Sequence, residues 1–374
     1  ERHGGIRTRL FLVVPQNLEV VLGAFGQLAY VHSPHRSSSY CFRKFQYVCF
    51  TEFIPLNFGI HFYFKDFSLQ KTTALPLAVL LAATTLTACS SGDDNHGDSL
   101  KIFATTGYLA DAAANLAPEA DITTMVGPGG DPHTYQPTTH DIEAMKDADL
   151  VLWNGLHLEA QMVDQLKSLG DKQLAVGDQL DEQDLLPWPE QGKGGEQLYD
   201  PHIWNSPKLW SQAVESIGDK LGDIDSEHAA DYSTAADNYE SQIAAAQDKA
   251  KKELATAKPR VLITGHDAFN YFGKTFDFDI HATDFVTTEA TKSATEISAL
   301  ADTIADKKVP VIFKDNQANP QAITSLQQAV ESRGWKVTVS DEELFADTLG
   351  PDAPTDTYLG AFEHNAHTVA KALS

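Results

Sequence analysis

The chain has 374 residues, and its 52 acidic against 28 basic side chains give a formal charge of −24. That balance argues against nucleic acid and broad anionic membrane as partners, and it creates a field that attracts cations. The length suffices for two domains, and no apolar run long enough for a helical span follows Cys89.

Residues 1–68 hold aromatic and cysteine clusters, such as Tyr40-Cys41-Phe42 and Phe62-Tyr63-Phe64, with neither helical nor strand periodicity. Lys71, an apolar stretch over 74–83 and Leu86-Thr87-Ala88-Cys89 then supply a charged start, a short apolar core and a small-residue cleavage site. Those are the parts of a secretory signal. The Leu-Thr-Ala-Cys ending resembles the bacterial lipobox, which implies cleavage before Cys89 and lipid on its sulfur. The first methionine is Met125, so Leu69 is expected to be a decoded alternative start. On that expectation residues 1–68 are upstream read-through, 69–88 the signal and 89–99 a flexible Ser, Gly, Asp and Asn tether. The cysteines are Cys41, Cys49 and Cys89. The processed body is therefore expected to have no disulfide and no thiolate ligand.

From residue 100 the pattern alternates. A strand over 100–105 precedes a helix over 107–117 that Pro118 stops. A strand over 122–126, a helix over 139–148 and a strand over 150–153 follow. Such alternation predicts parallel βαβ units, whose ligands collect at the carboxyl ends of the strands. Residues 181–197, with Pro187, Trp188, Pro189 and no histidine, read as a loop. Residues 226–257 are Ala-rich and free of Gly and Pro, which predicts one helix of roughly 48 Å at 1.5 Å per residue. Lys258-Pro259 stops it. Sustained heptads are missing, so a helix joining two lobes is preferred to a coiled-coil arm. A connector so stiff predicts modest motion between the lobes. Strands over 261–264, 309–314 and 336–339 and helices over 268–275, 293–306, 321–333 and 357–373 repeat the alternation. The expected fold is thus α/β, with lobes at 100–225 and 258–374 joined by the helix at 226–257.

Four loop residues carry the chemistry. Asp131-Pro132-His133 recurs as Asp200-Pro201-His202, and proline fixes the backbone just before each histidine. His266 follows the strand Val261-Leu262-Ile263-Thr264, and Asp347 lies in Leu344-Phe345-Ala346-Asp347-Thr348-Leu349-Gly350. Three imidazoles and a carboxylate suit a divalent transition metal. From the residues alone, each also reads as a turn or helix-cap residue.

The four segments in this order, with Ala148–Glu159 and Thr357-Tyr358-Leu359-Gly360, resemble the zinc and manganese receptors of ABC importers. These are the cluster A-I (cluster 9) solute-binding lipoproteins of the TroA-like type, and the resemblance runs from about residue 100 to the end. It implies two lobes on one backbone helix, with one Zn2+ or Mn2+ held in the cleft between them by His133, His202, His266 and Asp347. It further implies a monomeric, non-catalytic receptor outside the cell membrane, anchored by lipid on Cys89 and delivering metal to a permease. Some zinc-dedicated relatives carry a histidine-rich tract where residues 181–197 have none, which weakens a specialised zinc role. Two rivals remain at this point, a zinc metallohydrolase and a surface adhesin with a structural metal. Neither His-Glu-x-x-His nor Gly-x-Ser-x-Gly occurs.

Overall fold

The computed structural model describes residues 29–31, 40–42, 99–191, 195, 197–288 and 292–374. They fall in two compact units, Glu1–Ala88 and Cys89–Ser374. In the first, β1 (Ala29–Val31) pairs antiparallel with β2 (Tyr40–Phe42). The expected signal at 69–88, the tether up to residue 98 and Cys89 lie outside the described residues.

The second unit opens with β3 (Lys101–Thr106), α1 (Gly107–Leu116), β4 (Asp121–Val126), α2 (Thr139–Asp147), β5 (Leu150–Trp153), α3 (Val163–Lys167) and β6 (Gln173–Ala175). These strands form a parallel sheet in the order β4-β3-β5-β6, with Ile102 opposite both Ile122 and Leu150. The central strands are buried on both faces, as parallel strands flanked by helices should be. Ile102, Ala104, Leu150 and Leu152 face one core, while Phe103, Val151 and Trp153 face a second that contains Met125, Met145 and Met162. That split is the two-residue period of a strand.

Residues 181–197, expected to be a loop, instead contribute β7 (Pro187–Gln191), which pairs antiparallel with β8 (Gln197–Tyr199). Pro187 starts the strand, Pro189 lies within it, and the buried indole of Trp188 pins it to the body. An unforeseen helix follows, α4 (Pro207–Ile224), whose first turn has proline and a Ser206 cap accepting from the Leu209 amide.

The long helix is α5 (Ala229–Glu253), shorter at both ends than its Gly- and Pro-free stretch. His228 precedes it, and the 3-10 turn Leu254–Thr256 follows. Its buried side chains are Tyr232, Ala236, Tyr239, Ile243, Ala246 and Ala250. Four-three spacing of this kind is a heptad-like stripe, and here it packs within the chain, against α1, α4 and the C-terminal helix.

The remainder comprises β9 (Val261–Thr264), α6 (Asn270–Phe276), β10 (Asp279–Ala282), α7 (Ala294–Lys307), β11 (Val311–Ile312), α8 (Pro320–Glu331), β12 (Thr338–Val339) and α9 (Tyr358–Leu373). β10 pairs with β9 and β11 with β12, both parallel, and the Phe313 amide donates to Ile263 O at 2.7 Å to stitch the pairs together. Strand lengths expected as 309–314 and 336–339 shrink to two residues each. One core runs from Ile102 through α4, α5 and α9 to Leu262, Val311 and Phe313, so both sheets share it. Among the described residues no helix is long and apolar enough to cross a membrane.

Candidate metal centre

His133 follows β4, His202 follows β8, His266 follows β9, and Asp347 lies in the segment between β12 and α9. The fold brings one donor atom from each within 4.8 Å of the others. His202 Nε2 lies 3.3 Å from His133 Nε2 and 3.1 Å from His266 Nε2. Asp347 Oδ2 lies 3.5 Å from His133 Nε2 and 3.2 Å from His266 Nε2, and Oδ1 lies 3.4 Å from His202 Nε2. All four residues are at most 2% exposed.

These separations test whether a metal fits. Zinc–donor bonds of about 2.0–2.1 Å in a tetrahedron place donors about 3.3 Å apart, which is the spacing observed. Among the described residues neither Asp347 oxygen has a hydrogen-bond partner of good geometry, and burying a carboxylate without one is expensive. A cation at the centre of the cluster would compensate it. Both carboxylate oxygens face the imidazoles, so the set offers four donors, or five if the carboxylate binds through both oxygens. Nitrogen and oxygen donors in that number suit zinc or manganese.

The duplicated Asp-Pro-His proves to be a local device. Asp131 Oδ1 accepts from the His133 amide at 2.9 Å, and Asp200 Oδ1 accepts from the His202 amide at 3.0 Å. Each aspartate thus closes a turn over its proline and aims the histidine. Asp200 also lies 2.7 Å from His202 Nδ1 and is 2% exposed. Its partner, Asn270, donates to Oδ2 at 3.0 Å. Asp131 Oδ2 instead takes hydroxyl hydrogens from Thr134 and, at 2.6 Å, from Thr288 in the other lobe.

The His266 turn is held by Asp315, three residues past β11, whose Oδ2 accepts the Gly265 and His266 amides at 2.8 and 3.0 Å. A Cβ at Gly265 would stand 2.3 Å from Ala318 Cβ and 2.9 Å from that carboxylate, so the turn has no room for a side chain. Glu159 does comparable work after β5. Thr105 Oγ1 and the Asn154 and Gly155 amides donate to it at 2.6, 2.8 and 3.2 Å. Asn154 Nδ2 then donates to Pro201 O at 2.9 Å, beside His202.

The charges follow from burial and neighbours. Burial would lower the His202 pKa, but Asp200 and Asp347 outweigh it and push it up to about 10. Burial lowers His133, while for His266 the Asp347 charge prevails over burial and raises it. Asp347 is held well below the usual carboxylate range: burial works against this, and the three imidazoles prevail. Burial pushes both Asp315 and Glu159 up to about 6.

All four expected site residues therefore meet. His140 is exposed and stays outside the cluster, as does His157. His364 and His367, spaced for chelation on α9, turn to different partners, the Glu343 carbonyl and the Glu253 carboxylate. Sequence reasoning assigned no role to Asp200, Asp315 or Glu159. The twice-used Asp-Pro-His was a signal for the first; Asp315 carried none because the amides it holds lie 50 and 49 residues away, and Glu159 has near partners in Asn154 and Gly155 but meets Thr105 across 54 residues.

Two sheets on a shared core, with a closed His3Asp cluster drawn from both, define a two-lobe metal-receptor class. The family model described as ZnuA, zinc-uptake complex component A periplasmic, matches residues 102–372, and the chain belongs to this family. The manganese-binding lipoprotein MntA of Bacillus subtilis is 33% identical over 309 residues, covering 80% of this chain and 98% of that protein. The zinc-binding protein TroA of Treponema pallidum is 33% identical over 297 residues, covering 78% of this chain and 94% of that protein. A solved structure of TroA superposes with a TM-score of 0.68 at 32% identity, covering 74% of this chain and 99% of that one. The manganese ABC transporter substrate-binding lipoprotein PsaA of Streptococcus pneumoniae is 25% identical over 312 residues, covering 80% of this chain and 97% of that protein.

Proposed function

We propose that the protein is an extracytoplasmic solute receptor that captures one divalent transition metal, Zn2+ or Mn2+, and delivers it to an ABC permease. His133, His202, His266 and Asp347 are its ligands. The carrying observation is the closed donor cluster itself, at tetrahedral spacing and shut from solvent. Four protein donors leave tetrahedral zinc no position for a reacting water, which supports binding and release over hydrolysis. The relatives named for metal binding and ABC transport support the same reading over that of an adhesin.

The remaining parts of the proposal follow the sequence. Residues 69–88 direct export, lipid on Cys89 anchors a monomer through the tether 89–99, and residues 1–68 are absent from the mature protein. The lobes are 100–225 and 258–374, joined by the helix within 226–257.

Metal content by mass spectrometry tests the function on protein beginning at residue 90, loaded with zinc and manganese in competition. One ion per chain is expected, lost in His133→Ala and in Asp347→Ala. Unchanged loading in both variants would refute the ligand assignment.

A further inference from the structure

We propose that Tyr108 and Trp204 are positioning residues that set the Asp347 carboxylate from across the cleft, so that this ligand is in place only while the lobes are closed. The proposal rests on the reading that Asp347 holds the metal. Among the described residues only the three imidazoles, 3.2–3.5 Å away, approach the Asp347 carboxylate oxygens, so apart from the metal site its direction is set through its backbone. That backbone is gripped on two sides. From its own lobe, Asn316 accepts the Ala346 amide at 2.8 Å and donates to Thr348 O at 2.8 Å and Thr348 Oγ1 at 2.7 Å.

From the opposite lobe, Trp204 Nε1 donates to Ala346 O at 2.7 Å and Tyr108 Oη donates to the same oxygen at 3.3 Å. Ala346 O belongs to the peptide that enters Asp347, so turning that peptide swings the carboxylate. Trp204 is itself fixed by the site. Its ring meets the His202 ring edge-on, with centroids 5.3 Å apart and planes at 79°. On another side it stacks on Tyr108 at 4.9 Å and 18°. One indole thus touches a ligand of the first lobe and grips the peptide of a ligand in the second. Separating the lobes draws both donors from Ala346 O and leaves Asp347 tied through Asn316 alone. Opening then costs the cargo the carboxylate's alignment in addition to the separation of His266 from His133 and His202.

The alternative is that these rings serve only as core, since Tyr108 also packs on Trp210 and Tyr358. Cobalt(II) distinguishes the two roles, because its visible absorption reports coordination geometry. Tyr108→Phe removes one hydroxyl and keeps the ring, and Trp204→Phe removes the shorter bond. Loss of the shorter bond is expected to speed cobalt release to a chelator about tenfold and loss of the longer one about threefold. Both variants should alter the cobalt absorption, and Tyr108→Phe should keep the metal-free melting temperature. Wild-type absorption and release rates in both variants would overturn the proposal, as would a lowered melting temperature with those two readouts unmoved. Asp347→Ala is the control. If it binds cobalt as the wild type does, the ligand reading fails; if it loses cobalt while both phenylalanine variants match wild type, only the positioning role fails.

Discussion

Asp200 and His202 are joined twice across a single proline, through the histidine amide at 3.0 Å and through Nδ1 at 2.7 Å. The carboxylate keeps a hydrogen on Nδ1, so that once a cation displaces the Nε2 proton that nitrogen's lone pair faces the other donors, an arrangement that makes imidazole a stronger ligand.

Removing that charge is expected to weaken metal binding. Asp200→Asn keeps an oxygen for the His202 amide but loses the anion beside Nδ1, and affinity should fall about 10- to 100-fold. Competition against a fluorescent chelator measures it. An unchanged dissociation constant would mean that the second bond only shapes the turn.

Metal binding should also release protons. Without metal, His202 holds its proton up to a pKa of about 10, and a cation must displace it. Protons are therefore bound by the free site and lost by the loaded one, so affinity falls as pH falls. The free-histidine value near 6.5 would confine this to acid, whereas the raised His202 extends it above neutrality. Between about pH 7 and 8.5 affinity should rise about tenfold per pH unit for one displaced proton. Calorimetry in two buffers of different ionisation enthalpy counts the protons, and a buffer-independent heat would contradict the expectation.

Glu159 supplies a pH signature of folding. Its pKa rises from 4.5 to about 6, chiefly by burial. A carboxyl with a raised folded-state pKa favours the fold when protonated. The contribution is complete below pH 4.5 and lost as pH rises through 6, a change of about 2 kcal/mol. Metal-free wild type and Glu159→Gln, compared by denaturant unfolding, should therefore diverge by that amount between pH 4.5 and 7, with the wild type relatively weaker at the higher pH. A pH-independent difference would place the burden elsewhere.

The alternation of strands and helices was legible because parallel strands buried on both faces read as short apolar runs, as in Leu150-Val151-Leu152-Trp153. Helix starts were legible where a cap stands beside them: Ser293 with Glu296 closes a capping box on α7. α4 was missed although Ser206-Pro207 carries the same kind of mark, and the β7–β8 hairpin was missed because the prolines and glycines of residues 181–197 read as loop. The four converging donors were legible from the resemblance, since their loops are local but their meeting is not. The grips on Ala346 O were invisible: 142 residues separate it from Trp204 and 238 from Tyr108, and no short-range pattern announces such a contact.

The three methionines of the chain, Met125, Met145 and Met162, all lie in the small core behind the first sheet, each no more than 6% exposed. No cysteine follows Cys89. Beyond that residue the protein presents neither a thiol nor a surface thioether, so peroxide and hypochlorous acid find no ready sulfur to attack. Oxidants that act through sulfur therefore find no exposed target in the body that carries the metal site.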